Sequence, residues 1–381
     1  MLTGDRPPFT GDRAVESSAA HHDTPAPTLS ERVDRAVERT SRVIASSWSD
    51  LEASLAAFPP EAARPALLLA DMTGGKYLRS RLAVATYFGL GGTSDAASDA
   101  ISAAVQLLHV GLCVHDDLID GDTTRHGRPN VAGRSASRAL AEGSDAARAA
   151  HEAMTASVLA GDLAIARSQQ ILLAAPLPPE TRIALTQELL DALSTTIAGE
   201  WLDVRGETAA PHDVPTDAIA SLKTARYTTV LPLRLGAIAT GGVDSATIES
   251  LQRYGEALGV AYQMKDDELG VFGDPEATGK SVTADLRGGK RTGLMKLAHE
   301  LADGNERATL DSLVGRAELG ESEAERVRAI LVNSGAVIVH QERMAALVAQ
   351  AIDEVGRAPG IPADLRRYLT RGAELVVPRA S

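Results

Sequence analysis

From Leu29 onward apolar residues recur every three to four positions, the spacing of helices that bury one face. Between Ser30 and Leu55 that face is Val33, Val37, Val43, Ile44, Leu51 and Leu55. Pro59 and Pro60 interrupt the pattern, helix resumes to Leu69, and Gly74 and Gly75 form a turn. Further helices are expected over 78–88, 99–120, 146–173, 179–204, 216–239, 245–269 and 292–303, with more to the C-terminus. The stretch from Arg125 to Asp145 is rich in Gly, Ser and Arg and reads as a loop, placed to act as a lid. No useful length alternates as a strand does. Residues 1–28 are rich in Pro, Gly, Ser, Thr and His, show no period, and read as a disordered tail. The expectation is an all-α fold, one large helical bundle domain over residues 29–381.

Composition narrows the function classes. Lys plus Arg is 38 and Asp plus Glu is 51, a formal charge of −13, which argues against nucleic-acid binding. Aromatics are 3%, thin for a β-sandwich or barrel. No uninterrupted apolar run approaches the ~18 residues of a membrane span, and no signal-peptide pattern opens the chain, so a cytoplasmic location is expected. Cys113 is the one cysteine, which excludes an intrachain disulfide and a Cys-based zinc site. Only six of the 38 basic residues are Lys, at 76, 223, 265, 280, 290 and 296. A Lys kept against that Arg bias points to a compact charge doing what a guanidinium cannot.

Two acidic motifs stand at the ends of apolar helices. In HDDLIDGD, Asp116 and Asp120 are ~40° apart on a helix and share a face; His109 lies ~20° from Asp116, two turns earlier. The second, QMKDDELG, carries Asp266 and Asp267. Crowded carboxylates repel, and oxygen-only ligands select hard divalent ions such as Mg²⁺ that bridge to phosphates. Basic residues accompany both: Lys76 and Arg79 in GGKYLRSR, Arg125 after the first motif, Lys223 in KTARYTT, Lys280 and Lys290 in GKSVTADLRGGK. Acid and base alternating around one cavity suit a diphosphate held partly through Mg²⁺ and partly by Lys and Arg.

The ordered motifs GGKYLR, HDDLIDGDTTRHGRP, GDLAIAR, GEWLD, KTA, LGVAYQMKDD and GKSVTADLRGGK resemble those of trans-type polyprenyl diphosphate synthases, from about Leu29 to the C-terminus. The resemblance implies the isoprenoid synthase fold with a central cavity. It implies head-to-tail joining of an allylic diphosphate to isopentenyl diphosphate with release of pyrophosphate. Three Mg²⁺ ions would be held by Asp116, Asp120 and Asp266, within the pairs completed by Asp117 and Asp267. Arg125, Lys223 and Lys280 would grip the leaving diphosphate, with Lys290 beside them. Lys76, Arg79, His109 and the residue after Arg125 would hold the second diphosphate. Gln263 and the backbone near Lys223 and Thr224 would steady the carbocation. A homodimer is also implied.

Two positions depart from that pattern. Gly270 stands where the family usually has a third Asp, and Glu268, ~200° from Asp266, does not replace it. His126 stands where a second Arg is usual, a weaker phosphate partner at neutral pH. Product length is expected to follow the residues ahead of Asp116: Gly111 leaves room, Leu112 adjoins it, and Leu108 or Val105 floors the pocket a turn deeper. That reading predicts geranylgeranyl diphosphate and a shorter product from Gly111→Phe. Two alternatives share the fold: a class I terpene cyclase, and a non-catalytic subunit of a heteromeric synthase.

Overall fold

The computed structural model describes residues 27–70, 72, 74–273 and 283–376. The tail expected over 1–28 lies outside them except for its last two residues. Thr28 caps the first helix, its hydroxyl accepting from Glu31 N while the Glu31 carboxylate accepts from Thr28 N.

The described residues are almost entirely helical. Helices α1 (Leu29–Leu55), α2 (Arg64–Ala70), α3 (Leu78–Gly89) and α4 (Asp95–Ile119) open the chain. A two-residue hairpin follows, β1 (Thr124–Arg125) against β2 (Arg128–Pro129), with Thr124 opposite Pro129. Then come α5 (Val131–Ala141), α6 (Ala146–Ala174), α7 (Pro179–Gly206) and α8 (Thr216–Ile219). A π-helical segment, Ala220–Val230, runs without a break into α9 (Leu231–Thr240). Helices α10 (Ser245–Phe272), α11 (Ala284–Gly288), α12 (Gly293–Leu301), α13 (Gly304–Leu313), α14 (Glu321–Asn333), α15 (Ala336–Arg357) and α16 (Ala363–Glu374) complete it.

The loop reading of 125–145 is corrected: the segment holds the hairpin and a three-turn helix. Asn130, 1% exposed, caps α5 by accepting from Gly133 N, and Val131, Ala132, Ser135 and Ala139 are buried. Composition misled because small residues that favour loops also let a short helix lie close against its neighbour.

Helix α4 explains its own sequence. It contributes Ile101, Ala104, Val105 and Leu108 to the main apolar core with α3, α7, α9, α10 and α15. Its Ala103, Leu107, Val110 and Val114 enter a second core with α1, α2 and α6. A helix buried on two sides has no polar face to show until its end. It is long and apolar enough to cross a membrane by length and composition, yet 83% of its most apolar window is buried inside the protein. A third core joins α11, α12, α13 and α14 to Val271 at the end of α10.

Gly111 does not open a pocket. A Cβ there would lie 2.8 Å from Ile165 Cγ1 and 2.9 Å from the Gly161 carbonyl oxygen, both on α6. The glycine lets α4 and α6 approach, and the pocket argument built on it fails. Val105 and Leu108 are fully buried in the main core, and Leu112 is half-buried against it.

Candidate active site

The last turn of α4 delivers the first acidic motif, and each of its carboxylates meets a cation. Lys223, from the π-helical segment, places Nζ 3.3 Å from Asp116, 2.6 Å from Asp203 and 2.9 Å from Glu200. Lys290 donates to Asp120 at 2.7 Å. Arg125, from the hairpin, donates to Asp117 at 2.6 Å and stands 3.9 Å from Asp116. Asp117 is only 3% exposed and anchors Arg125, while Asp116 and Asp120 stay half-buried at the helix end.

Burial alone would depress the Lys223 ammonium, but Asp116, Asp203 and Glu200 outweigh it and hold it protonated far up the scale. The same opposition of burial and carboxylates raises Arg125 and Lys290. All three are permanent cations in the working range.

The second motif lies on α10. Gln263 accepts from the Thr224 hydroxyl and donates to Asp267 at 2.7 Å, which fixes its amide between the π-helical segment and the acidic pair. Burial first, then the neighbouring charges of Asp266, Asp285 and Asp203, push the Asp267 carboxyl up to about 8 against the lowering pull of Gln263. That surplus of carboxylate is what a divalent cation corrects, and the donors are oxygens throughout, the chemistry hard ions prefer. Among the described residues no three acidic or imidazole side chains already converge as a cation cage. The site fits magnesium by its donor set and excess negative charge, with ammonium groups in partial possession of the first motif. Lys280 lies outside the described residues.

A second group forms about one turn further along the π-helical segment. Arg79, from the first turn of α3, donates to Tyr227 Oη at 2.9 Å and to Thr228 Oγ1 at 2.8 Å, its guanidinium carbon 4.5 Å from the Tyr227 ring centroid. The His109 imidazole stacks on the same ring at 6.1 Å. Burial, and then the charges of Arg79, Arg125 and His126, hold His109 well below its ordinary value, so it is neutral here. Lys76 stands exposed just ahead of α3. Tyr77 and His126, both with φ 51°, are the only non-glycine residues with positive φ among those described. Both adjoin this basic group, and strain of this kind gathers where a binding site is preorganised. Cys113 contacts His109 at 3.3 Å, and burial pushes its thiol up to about 11, an inert filler rather than a nucleophile.

Sequence reasoning missed Glu200 and Asp203 as partners of Lys223, although their spacing of three in GEWLD puts both on one face of α7. It also missed Tyr227 and Asp285. Nothing in the sequence signalled the π register of the segment that carries Lys223, Thr224, Tyr227 and Thr228; such registers often mark functional sites.

A helical bundle in which two acidic motifs meet two basic groups defines a class of enzyme that handles diphosphate esters. The chain belongs to the polyprenyl synthetase family, whose model matches residues 65–331. It is 32% identical over 297 residues to the geranylgeranyl diphosphate synthase of Mycobacterium tuberculosis, covering 76% of this chain and 78% of that one. It is 29% identical over 311 residues to the geranylfarnesyl diphosphate synthase of Aeropyrum pernix, covering 80% and 91%. It resembles the crystal structure of geranylgeranyl pyrophosphate synthase from Corynebacterium glutamicum complexed with isoprenyl diphosphate and magnesium, with TM-score 0.85 and 26% identity over 91% of this chain and 99% of that one.

Proposed function

We propose that this trans-prenyl diphosphate synthase joins isopentenyl diphosphate to an allylic diphosphate and carries the product to twenty carbons. The observation that carries the reading is the pair of charged groups set one turn apart along one π-helical segment. Lys223 and Arg125 with the two acidic motifs serve one diphosphate, and Arg79, His109 and His126 with Lys76 serve the other.

Asp116, Asp120 and Asp266 would hold magnesium, three ions with diphosphate bound, with Asp267 beside them. The chemistry supplied by bound magnesium is neutralisation of the charge that grows on the departing pyrophosphate. Lys223 and Arg125 place fixed positive charge on the same leaving group as the allylic C–O bond breaks and its electron pair departs with the pyrophosphate. Gln263, clamped by Thr224 and Asp267, turns its amide dipole toward the allylic cation. The isopentenyl double bond then forms the new C–C bond, and the proton lost from the adjacent carbon passes to pyrophosphate.

The twenty-carbon reading rests on the Mycobacterium tuberculosis and Corynebacterium glutamicum relatives and on α4. Ahead of Asp116 that helix carries no Phe, Tyr or Trp to floor the pocket early, and Leu112 lies one turn before the motif. A second copy is proposed to cover the face of α6 and α7. There Ile183, Ile197 and Trp201 form an exposed stripe, Ile197 at 57% and Trp201 at 65%, beside Leu159 at 52% on α6.

The test is a product assay with purified protein, Mg²⁺, isopentenyl diphosphate and, separately, five-, ten- and fifteen-carbon allylic diphosphates. A twenty-carbon alcohol released only by phosphatase supports the reading. Another length overturns the chain-length assignment and keeps condensation. A hydrocarbon from the allylic substrate alone overturns the synthase in favour of a cyclase.

A further inference from the structure

Two of the ordered motifs meet at a point that the charged groups do not use. His115 opens HDDLIDGD on α4, and Gly161 opens GDLAIAR on α6. A Cβ at Gly161 would fall 2.1 Å from His115 Nε2 and 2.3 Å from its Cδ2, so the imidazole fills the space that any side chain at 161 would need. The ring is seated there, with Nε2 3.3 Å from the Val158 carbonyl oxygen and 3.6 Å from Asp162 Oδ1. A carbonyl oxygen only accepts, so Nε2 carries the hydrogen and donates it. Residues 115 and 117 stand ~100° to either side of Asp116 on the helix. On one side Asp117 accepts from Arg125 of the hairpin at 2.6 Å. On the other, His115 is held by α6. Helix ends fray, and the last turn of α4 is pinned against fraying by two different elements.

We propose that His115 is a positioning residue for the first acidic motif, and that position 161 is glycine so that the imidazole can wedge against α6. The inference rests on Asp116 and Asp120 holding magnesium. The ring touches neither substrate nor metal. It fixes the rotation of the turn that ends α4, so that both carboxylates are presented in one orientation and none of the binding energy is spent on arranging them.

The test follows condensation of isopentenyl diphosphate with the fifteen-carbon allylic diphosphate by the full chain as Mg²⁺ is titrated, alongside thermal melting. His115→Ala should raise the half-saturating Mg²⁺ concentration about tenfold, the usual scale for losing a supporting group beside a metal site. KM for isopentenyl diphosphate should not move, because Arg79, His109 and His126 are untouched. His115→Gln returns an N–H donor at similar reach and should recover most of the loss. Gly161→Ala should raise the Mg²⁺ requirement as His115→Ala does, because the methyl evicts the ring, and the same methyl added to His115→Ala should cost nothing further. If His115→Ala melts lower but keeps the parent's Mg²⁺ requirement, the ring only packs and the proposal falls. It falls also if the effects of Gly161→Ala and His115→Ala simply add. A parent chain whose condensation survives removal of Mg²⁺ by a chelator would overturn the underlying cation site as well, whereas a Mg²⁺ requirement that moves in Asp116→Asn but in neither His115→Ala nor Gly161→Ala overturns this inference alone.

Discussion

Gly111→Ala separates a packing glycine from a pocket glycine. The added methyl would stand 2.8 Å from Ile165 Cγ1, 2.9 Å from Gly161 O and 3.3 Å from Ala164 Cβ. Gly161 has no easy retreat, because a Cβ of its own would be 2.1 Å from His115 Nε2, and a backbone carbonyl does not swing aside as a side-chain tip can. Overpacking of this kind costs about 1–3 kcal/mol. Alanine recovers about 1 kcal/mol of helix propensity over glycine. The balance is a net loss of up to about 2 kcal/mol, which lowers Tm by up to about 3 °C in a chain of 381 residues. Product length should not change, because the methyl enters the α4–α6 seam and not the substrate channel. Leu112→Phe, four residues before Asp116, is the contrasting variant and should shorten the product. The measurements are a thermal melt and mass spectrometry of dephosphorylated products. Gly111→Ala with an undiminished Tm and a shorter product would refute the packing argument and restore an open pocket at that residue.

Three further outcomes follow from the described contacts. Lys223→Met removes the shared cation of Asp116, Glu200 and Asp203, and kcat should fall by about 10²–10³-fold in a protein that still folds; a loss under tenfold would show that its charge is not used. Arg125→Ala leaves Asp117 buried without its partner and should cost about 3–5 kcal/mol of stability by denaturant titration, with partial recovery when Asp117 is also made Asn. His340 is buried, lies 2.8 Å from the Met264 carbonyl oxygen through Nε2, and is held below its ordinary value chiefly by burial. The unfolded chain therefore takes up that proton first, so the contribution is intact above about pH 6.5 and is lost as pH falls toward the folded value. His340→Gln should flatten the acid side of the stability profile, and an unchanged slope would exclude His340 as its source.

The helical architecture was legible because most helices bury one face, as α1 shows with Val33, Val37 and Ile44. The acidic motifs and the basic residues near them were legible because charge at the end of an apolar helix demands a reason. Orientation within α4 was not. A helix apolar all round has no phase, so spacing alone gives no sign of whether Gly111 faces a cavity or α6. Helix α5 was hidden because its one strong signal, the Asn130 cap, sits among glycines and arginines that read as loop. Asp117 illustrates a third limit. It shares a motif with Asp116, yet one residue is 100° of rotation, enough to send its carboxylate inward to Arg125.

The π-helical segment acts as a spacing gauge. Lys223 and Thr224 reach toward α7 and α10, while Tyr227 and Thr228 reach toward α3, all within one unbroken stretch of backbone. Lys223 and Tyr227 are therefore tied by four residues of one backbone, and any shift of this segment moves the partner of Asp116 and the partner of Arg79 together.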